Sequence, residues 1–403
     1  MKQIIIALCL LVLLTLTGCA GAQENGPDKT SLPPLETQTE TQKQQTGSQS
    51  VIYEETQDKL TVSVTSDGQL LLSGADVKEG WRDSSVLADY LKNVHTLRIG
   101  SGVRHIGEKA FSGFDTLQKV LLDGTVSEID YSAFSDCTAL TDVSFGSGLR
   151  VIGDYAFSGC TALKDAALKE SVTTIGSYAF SGCVSLKNVS AGTQATQIGI
   201  GVFSGCTALA SARWGSNVAD STFQDCTTLE SVTLEDTVTE IGSRAFSNCT
   251  ALSSVVLSAQ LQTIGEKAFS GCINLQAITV PKSVILVKKE AFSGCTALDA
   301  ITLESDGTLE LTDGVFSGCT ALKEAVLPEG LWKLGEKVFA DCTALEKLTL
   351  PLSLKEIGYG TLYGTYSLRV LGYRGTAKQW NSVKKASQWS EAAGTTVITY
   401  KVS

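Results

Sequence analysis

The chain has 403 residues, a net charge of −10 and a 43% share of hydrophobic residues, enough for a sizeable core. Its 42 Asp and Glu against 32 Lys and Arg, with no basic cluster, argue against a nucleic-acid binder. Lys78, Arg82, Lys92, Arg98 and Arg104 are spread along the N-terminal region as ordinary surface charge.

Residues 1–18 read as an export leader. Lys2 gives a positive start, and Ile4 to Leu16 form an apolar stretch too short to span a bilayer comfortably. It ends in Leu16-Thr17-Gly18-Cys19, which resembles the lipobox of bacterial lipoproteins. The resemblance implies cleavage after Gly18 and a diacylglycerol on the Cys19 thiol; the alternative is an ordinary secretory signal with a chance Cys. No other stretch has the length of a transmembrane helix. Residues 19–50 carry Pro33-Pro34 and the polar run from Glu36 to Gln42. They cannot bury enough surface to offset ordering entropy, so a disordered, lipid-anchored linker is expected there. Residues 51–97 are expected to form an N-terminal cap. Within it, Gly68 to Gly74 alternate like a hairpin strand and Ser84 to Asn93 suit a helix.

An internal repeat dominates residues 98–372. Aligning on Phe in the phrase A-F-S-G-C-T-A-L gives Phe111, Phe134, Phe157, Phe180, Phe203, Phe223, Phe246, Phe269, Phe292, Phe316 and Phe339, with Leu362 as a degenerate twelfth. The spacing is 23 residues, except 20 from Phe203 to Phe223 and 24 from Phe292 to Phe316. Six residues after each anchor comes Leu, as in Leu140 or Leu252. Nine and eleven residues after it come two apolar positions, as in Val232 and Leu234, the mark of a strand with one inward face. A turn and V-x-x-I-G follow, as in Val172, Ile175 and Gly176, where the Gly is expected to permit a sharp bend. The A-F-S-G-C-T-A-L segment is expected to be a short helix or helical turn. No single unit can close a core, but stacked units can bury these side chains in continuous ladders. Phe134, Phe157, Phe180, Phe246 and Phe269 are expected to form one ladder. The fold class expected is an α/β repeat solenoid, a curved stack of about 12 units. Residues 373–403 are expected to close it as a C-terminal cap, because an open end exposes apolar surface and unpaired edges.

The unit A-F-S-G-C-T-A-L-x-x-V-x-L-x-x-x-V-x-x-I-G resembles the BspA-type leucine-rich repeat family over most of the mature chain. The resemblance implies a right-handed curved solenoid on a bacterial cell surface, adhesion or binding of host and partner proteins, and no common enzymatic activity.

Of twelve cysteines, Cys9 and Cys19 lie in the leader and its cleavage site. The other ten, among them Cys137, Cys160, Cys183, Cys249 and Cys272, all stand three residues after an anchor. One shared position per unit points to a reduced core ladder, with each Cys acting as a small hydrophobe; Phe114 at the same step supports a buried apolar site. Disulfides remain the alternative for an exported chain. A zinc site would need close Cys pairs, and there are none.

No catalytic motif is found: no G-x-S-x-G, H-E-x-x-H, P-loop or EF-hand loop. The only histidines, His95 and His105, precede the first anchor. A non-enzyme without cofactor or metal is expected. Candidate contacts come from the strand row ten residues after each anchor, which includes Arg213 and Val256, and from aromatic breaks in the pattern. Trp332 stands where other units place exposed Thr or Lys, and Tyr155 and Tyr178 are equivalent in consecutive units. Trp214, in the 20-residue unit, falls at an inward position and is expected to fill space. A protein partner is expected, with membrane contact through the N-terminal lipid only and no nucleic acid. A glycan ligand or a structural spacer is the alternative. The expected location is the extracytoplasmic face of a bacterial membrane, or the cell surface.

Overall fold

The computed structural model describes residues 50–191, 195–305, 307, 309–391, 393–394 and 396–400. Cys19, the leader and nearly all of the linker lie outside them.

Three strands open the described chain: β1 (Val51–Gln57), β2 (Leu60–Thr65) and β3 (Gln69–Ser73), paired antiparallel in that order. Asp58 and Lys59, both at positive φ (49° and 71°), make the tight turn between β1 and β2. Helix α1 (Ser85–Leu91) follows. Ser84 caps it by accepting from the Leu87 N–H, and Leu87 and Leu91 are buried. Strand β4 (Thr96–Ile99) then pairs with β3 in parallel, Leu70 opposite Leu97. From this switch onward the chain winds as about 14 coils.

Each coil has three hydrogen-bonded sides. One side is a long strand, such as Ser211–Trp214, stacked in register on the next, with Ala212 opposite Val232. Its burial alternates exposed and buried, as a one-faced strand should. The second side is a short strand of two residues, such as Thr174–Ile175, whose Ile lies inward against Ile152. The third side carries the Phe anchors, and of the expected short helix or helical turn it takes the turn. It is a succession of tight turns, in which Ser158 N–H donates to Tyr155 and Cys160 N–H to Phe157. The remaining donors leave the coil. Tyr155, Phe157 and Gly159 give their N–H groups to the carbonyls of Ser177, Ala179 and Ser181 in the next coil at 2.8, 2.7 and 2.8 Å. A helix would spend those donors within the segment; here the neighbouring coil takes them, so the backbone is satisfied along the stack. The geometry requires a left-handed residue two places before and two places after each anchor. Tyr155 (φ 56°) and Gly159 (φ 73°) fill these places in one coil. Gly, Asp or Asn recurs at the later place because those residues tolerate that region best.

The anchors form one unbroken stack from Phe111 to Phe339, all fully buried. Phe134–Phe157 and Phe157–Phe180 are parallel within 5°, with centroids 5.2 and 5.3 Å apart. Phe246–Phe269 stack at 5.1 Å and 12°. Trp81 closes the first end, its ring 5.3 Å from Phe111 and its indole N–H on the Ala110 carbonyl. Trp214 is buried and stands edge-on between Phe203 and Phe223 at 5.8 and 5.4 Å.

All ten coil cysteines are free and buried. They do more than fill space. Each thiol donates to the anchor carbonyl of the coil before it: Cys137 to Phe111, Cys160 to Phe134 and Cys272 to Phe246 at 3.1 Å, and Cys183 to Phe157 at 3.2 Å. Cys249 does the same to Phe223 at 3.1 Å. Phe114 is tolerated because its coil has no earlier anchor to satisfy. Thr365, at the equivalent step of the Leu362 coil, is also buried, but its hydroxyl donates to the Leu362 carbonyl of its own coil at 2.8 Å. At the cysteine coils the position therefore supplies an inter-coil donor as well as filling a small buried site.

The Gly of V-x-x-I-G also has a different reason than expected. Gly176 is not left-handed. A Cβ there would lie 2.4 Å from the Asp154 nitrogen, and at Gly265 2.4 Å from the Gly242 carbonyl carbon. Glycine permits two coils to approach at this corner rather than permitting a bend.

The far end carries a second helix, α2 (Ala377–Ser382), begun by a capping box between Thr376 and Gln379. Beyond it Lys384–Lys385 joins the short-strand ladder and Val397–Tyr400 the long one. The closing segment thus adds a further coil with Trp380 buried beneath it.

Candidate binding surface

Stacked strands of period two present every second side chain to solvent. On the long-strand side this produces the row that includes Arg213, Thr233 and Val256, in that order across three coils. Arg213 is paired with Glu235 at 2.7 Å, an exposed contact of small energetic weight. Val256 is 54% exposed, and Val326 further along is 42% exposed.

Towards the C-terminal end the row sinks into a hollow of about 670 Å³, lined by Thr349, Leu352, Gly372, Thr399 and Tyr400, with Lys347 and Arg374 among the groups at its rim. Its cause is a missing side chain. Gly372 sits in register between Thr349 and Thr399. A Cβ built on it would lie 3.5 and 3.6 Å from their hydroxyl oxygens, so the space is real and can be filled. Arg374 reaches Glu329 across 3.4 Å beside it. The sequence reading missed this hollow because Gly372 lies at the end of the repeat and Thr399 beyond it, in the closing segment.

The other candidate residues lie elsewhere. Trp332 immediately precedes the short strand Lys333–Leu334 and is 52% exposed, with its backbone carbonyl accepting from Lys355 and Glu356. Tyr155 and Tyr178 are on the anchor side. Their rings stack at 5.2 Å and 18°. Tyr131, one place out of step with them and so missed, meets Tyr155 edge-on at 5.8 Å, and the Lys109 ammonium lies 5.4 Å from its ring centre. At the other end the Tyr178 ring rests on Gly201, where a Cβ would meet it at 2.4 Å. The ring faces are thus largely taken up within the stack, and edges are what the group presents. Tyr359, Tyr363 and Tyr366, also exposed, mark the Leu362 coil, where the usual S-G-C-T becomes Y-G-T-Y. The structure therefore brings Tyr155 to Tyr178, and Arg213 near Val256, but leaves Trp332 apart from both groups.

Burial raises most of the coil thiols, and at Cys160 a side-chain hydrogen bond with Cys137 comes first. Burial pushes Cys183, Cys226, Cys295 and Cys342 up to about 12. Such thiols are poor nucleophiles and poor metal ligands. His105 is held by Asp76 at 2.9 Å and faces Glu128 at 3.4 Å, tying the N-terminal segment to the first coil. Among the described residues no group of His, Cys, Asp and Glu is arranged to hold a metal ion, and no helix is long and apolar enough to cross a membrane.

The sequence matches the description "BspA type Leucine rich repeat region (6 copies)" over residues 88–210, 216–311 and 309–379. The chain belongs to the BspA-type leucine-rich repeat family. BspA-type proteins are cell-surface proteins, and leucine-rich repeat proteins commonly bind other proteins. The BspA-type solenoid is typically non-catalytic. A leucine-rich repeat protein from Eubacterium ventriosum shares the fold at TM-score 0.51 and 23% identity, covering 87% of this chain and 97% of that one. A leucine-rich repeat protein from Bacteroides ovatus aligns at TM-score 0.48 and 22% identity, covering 86% and 100%. The pneumococcal vaccine antigen PcpA aligns at TM-score 0.44 and 16% identity, covering 87% and 99%. No curated protein matches in sequence.

Proposed function

We propose that this BspA-type protein is a non-catalytic, lipid-anchored surface module that holds a protein partner along its long-strand row, with the Gly372 hollow as the anchoring point. The carrying observation is that hollow: a pocket-sized recess, flanked by two threonine hydroxyls, at the end of a regular exposed sheet. An interface of this kind gains most from one buried contact surrounded by a flat rim. Adhesion to matrix proteins or neighbouring cells is the activity it suits. The full chain, held in detergent, is to be tested against immobilised extracellular-matrix proteins and intact bacterial cells. Filling the recess with Gly372→Val is expected to weaken a genuine interaction about tenfold or more, whereas Trp332→Ala changes it less than about twofold. Silence across the panel, or a hit indifferent to Gly372→Val, refutes the assignment.

The exposed Trp332 indole favours a second reading, a glycan ligand stacked on that ring. A glycan array on which every signal survives Trp332→Ala removes it. Anchoring through Cys19 has its own test: Cys19→Ala is expected to move the protein from the membrane fraction to the soluble one.

A further inference from the structure

The 20-residue coil does more than shorten one loop. The short-strand ladder that starts at His105–Ile106 ends at Gln197–Ile198, and the next begins at Glu240–Ile241. Between them the short coil supplies one isolated bridge, Val218 to Ile241. In an ordinary coil the Arg150 carbonyl accepts from Thr173 and Thr174, and the Ile152 carbonyl from Gly176. Thr196 and Ile198 occupy the same places, yet among the described residues no backbone donor reaches their carbonyls. On the opposite bank the ladder is restarted by a side chain. Asn217 Oδ1 accepts from the N–H groups of Thr239 (2.8 Å) and Glu240 (3.1 Å). Asp76 Oδ1 does the same for Arg104 and His105 where the solenoid begins. The seam opens into a notch of about 520 Å³, whose charged lining groups among the described residues are Asp220 and Glu240.

We infer that this notch receives an extended segment of a partner protein carrying a Lys or Arg side chain. Thr196 and Ile198 are two residues apart on one strand, so their carbonyls are spaced by roughly 6.6 Å, the repeat at which an added strand presents alternate N–H groups. No Lys or Arg among the described residues lines the notch, so its two carboxylates, Glu240 and an Asp220 whose Oδ1 accepts the Ser243 N–H at 2.6 Å, favour a basic side chain. The slot lies on the short-strand side and does not depend on the long-strand row.

The full-length protein is panned against a library of random linear nonapeptides, with the Thr196→Arg variant for counter-selection. Thr196 is exposed, so arginine there occupies the notch and faces both carboxylates without entering the core. The recovered peptides are expected to be rich in Lys or Arg and to bind Thr196→Arg and Glu240→Lys about tenfold more weakly. N-methylation at alternate residues is expected to cost about tenfold, the loss of one net hydrogen bond, while methylation at the intervening residues costs little. A thermal melt matching the parent separates blocked binding from lost folding. Recovery of no peptide above the counter-selection overturns the inference, as does equal binding to Thr196→Arg or indifference to the methylation register. Binding that appears only after residues 20–49 are deleted would assign the slot to the chain's own segment around Lys29 and Lys43. A dimer abolished by Thr196→Arg in sedimentation would assign it to a second copy. Either result also overturns it.

Discussion

Replacing Phe180 with alanine tests the stacked core at its centre. The ring is fully buried and lies parallel between Phe157 at 5.3 Å and Phe203 at 5.5 Å. Truncating a buried Phe costs about 3–5 kcal/mol through lost transfer energy and the cavity left behind. This site belongs near the upper end, because two ring pairs worth roughly 0.5–1.5 kcal/mol each go with it. The coil cannot collapse freely onto the space either, since its anchor and long-strand sides are hydrogen-bonded to both neighbours. In a quasi-one-dimensional stack the damage should stay local. Urea unfolding followed by circular dichroism is expected to show a loss of about 5 kcal/mol. Hydrogen exchange is expected to accelerate most in the coils of Phe157, Phe180 and Phe203 and least in those of Phe316 and Phe339. A loss below about 1 kcal/mol, or exchange rising equally in every coil, would refute the shared-core argument.

The coil thiols make the protein sensitive to alkali. Burial raises Cys183 to about 12, above an unfolded value near 8.5. The folded state therefore favours the protonated thiol; that stability is complete below the unfolded value and is lost as pH rises from about 9 towards 12. The unfolding midpoint is expected to fall over that window, less steeply in Cys183→Ala, and a flat profile contradicts the burial. A thiol reagent at neutral pH is expected to label none of the ten coil cysteines in the folded chain and all of them in urea. Gly176→Ala forces a Cβ to within 2.4 Å of the Asp154 nitrogen and is expected to destabilise by about 1–3 kcal/mol, as overpacking does. Calorimetry showing a gain, as expected of glycine at an unstrained exposed site, would return that residue to the role of a flexible bend.

Much of the fold was legible because the repeat imposes the same burial on the same letter at each step. Phe134, Val232 and Ile241 are inward for reasons that periodicity alone conveys. What was not legible depends on hydrogen bonds between coils. The A-F-S-G-C segment has helical spacing of its apolar residues, yet its donors are claimed by the next coil. Gly, Asp and Asn after the anchor were the available signal for that left-handed turn. Cys in place of Ala or Val was the available signal for the inter-coil thiol donor. Of the binding surface less could be read. Equivalent positions placed Tyr155 on Tyr178, but Tyr131 enters the stack from a neighbouring place in its coil. The Gly372 hollow needs the closing segment, whose register against the repeat is set by packing and not by a shared motif.

The sulfur column has one more consequence. Among the described residues nothing is fastened by an oxidised bond, so folding of the stack needs no oxidant. A chain of this design would assemble as well in strictly anaerobic surroundings as in air. Its hazard is confined to the interval of folding, when unburied thiols could be joined wrongly before the coils shut over them.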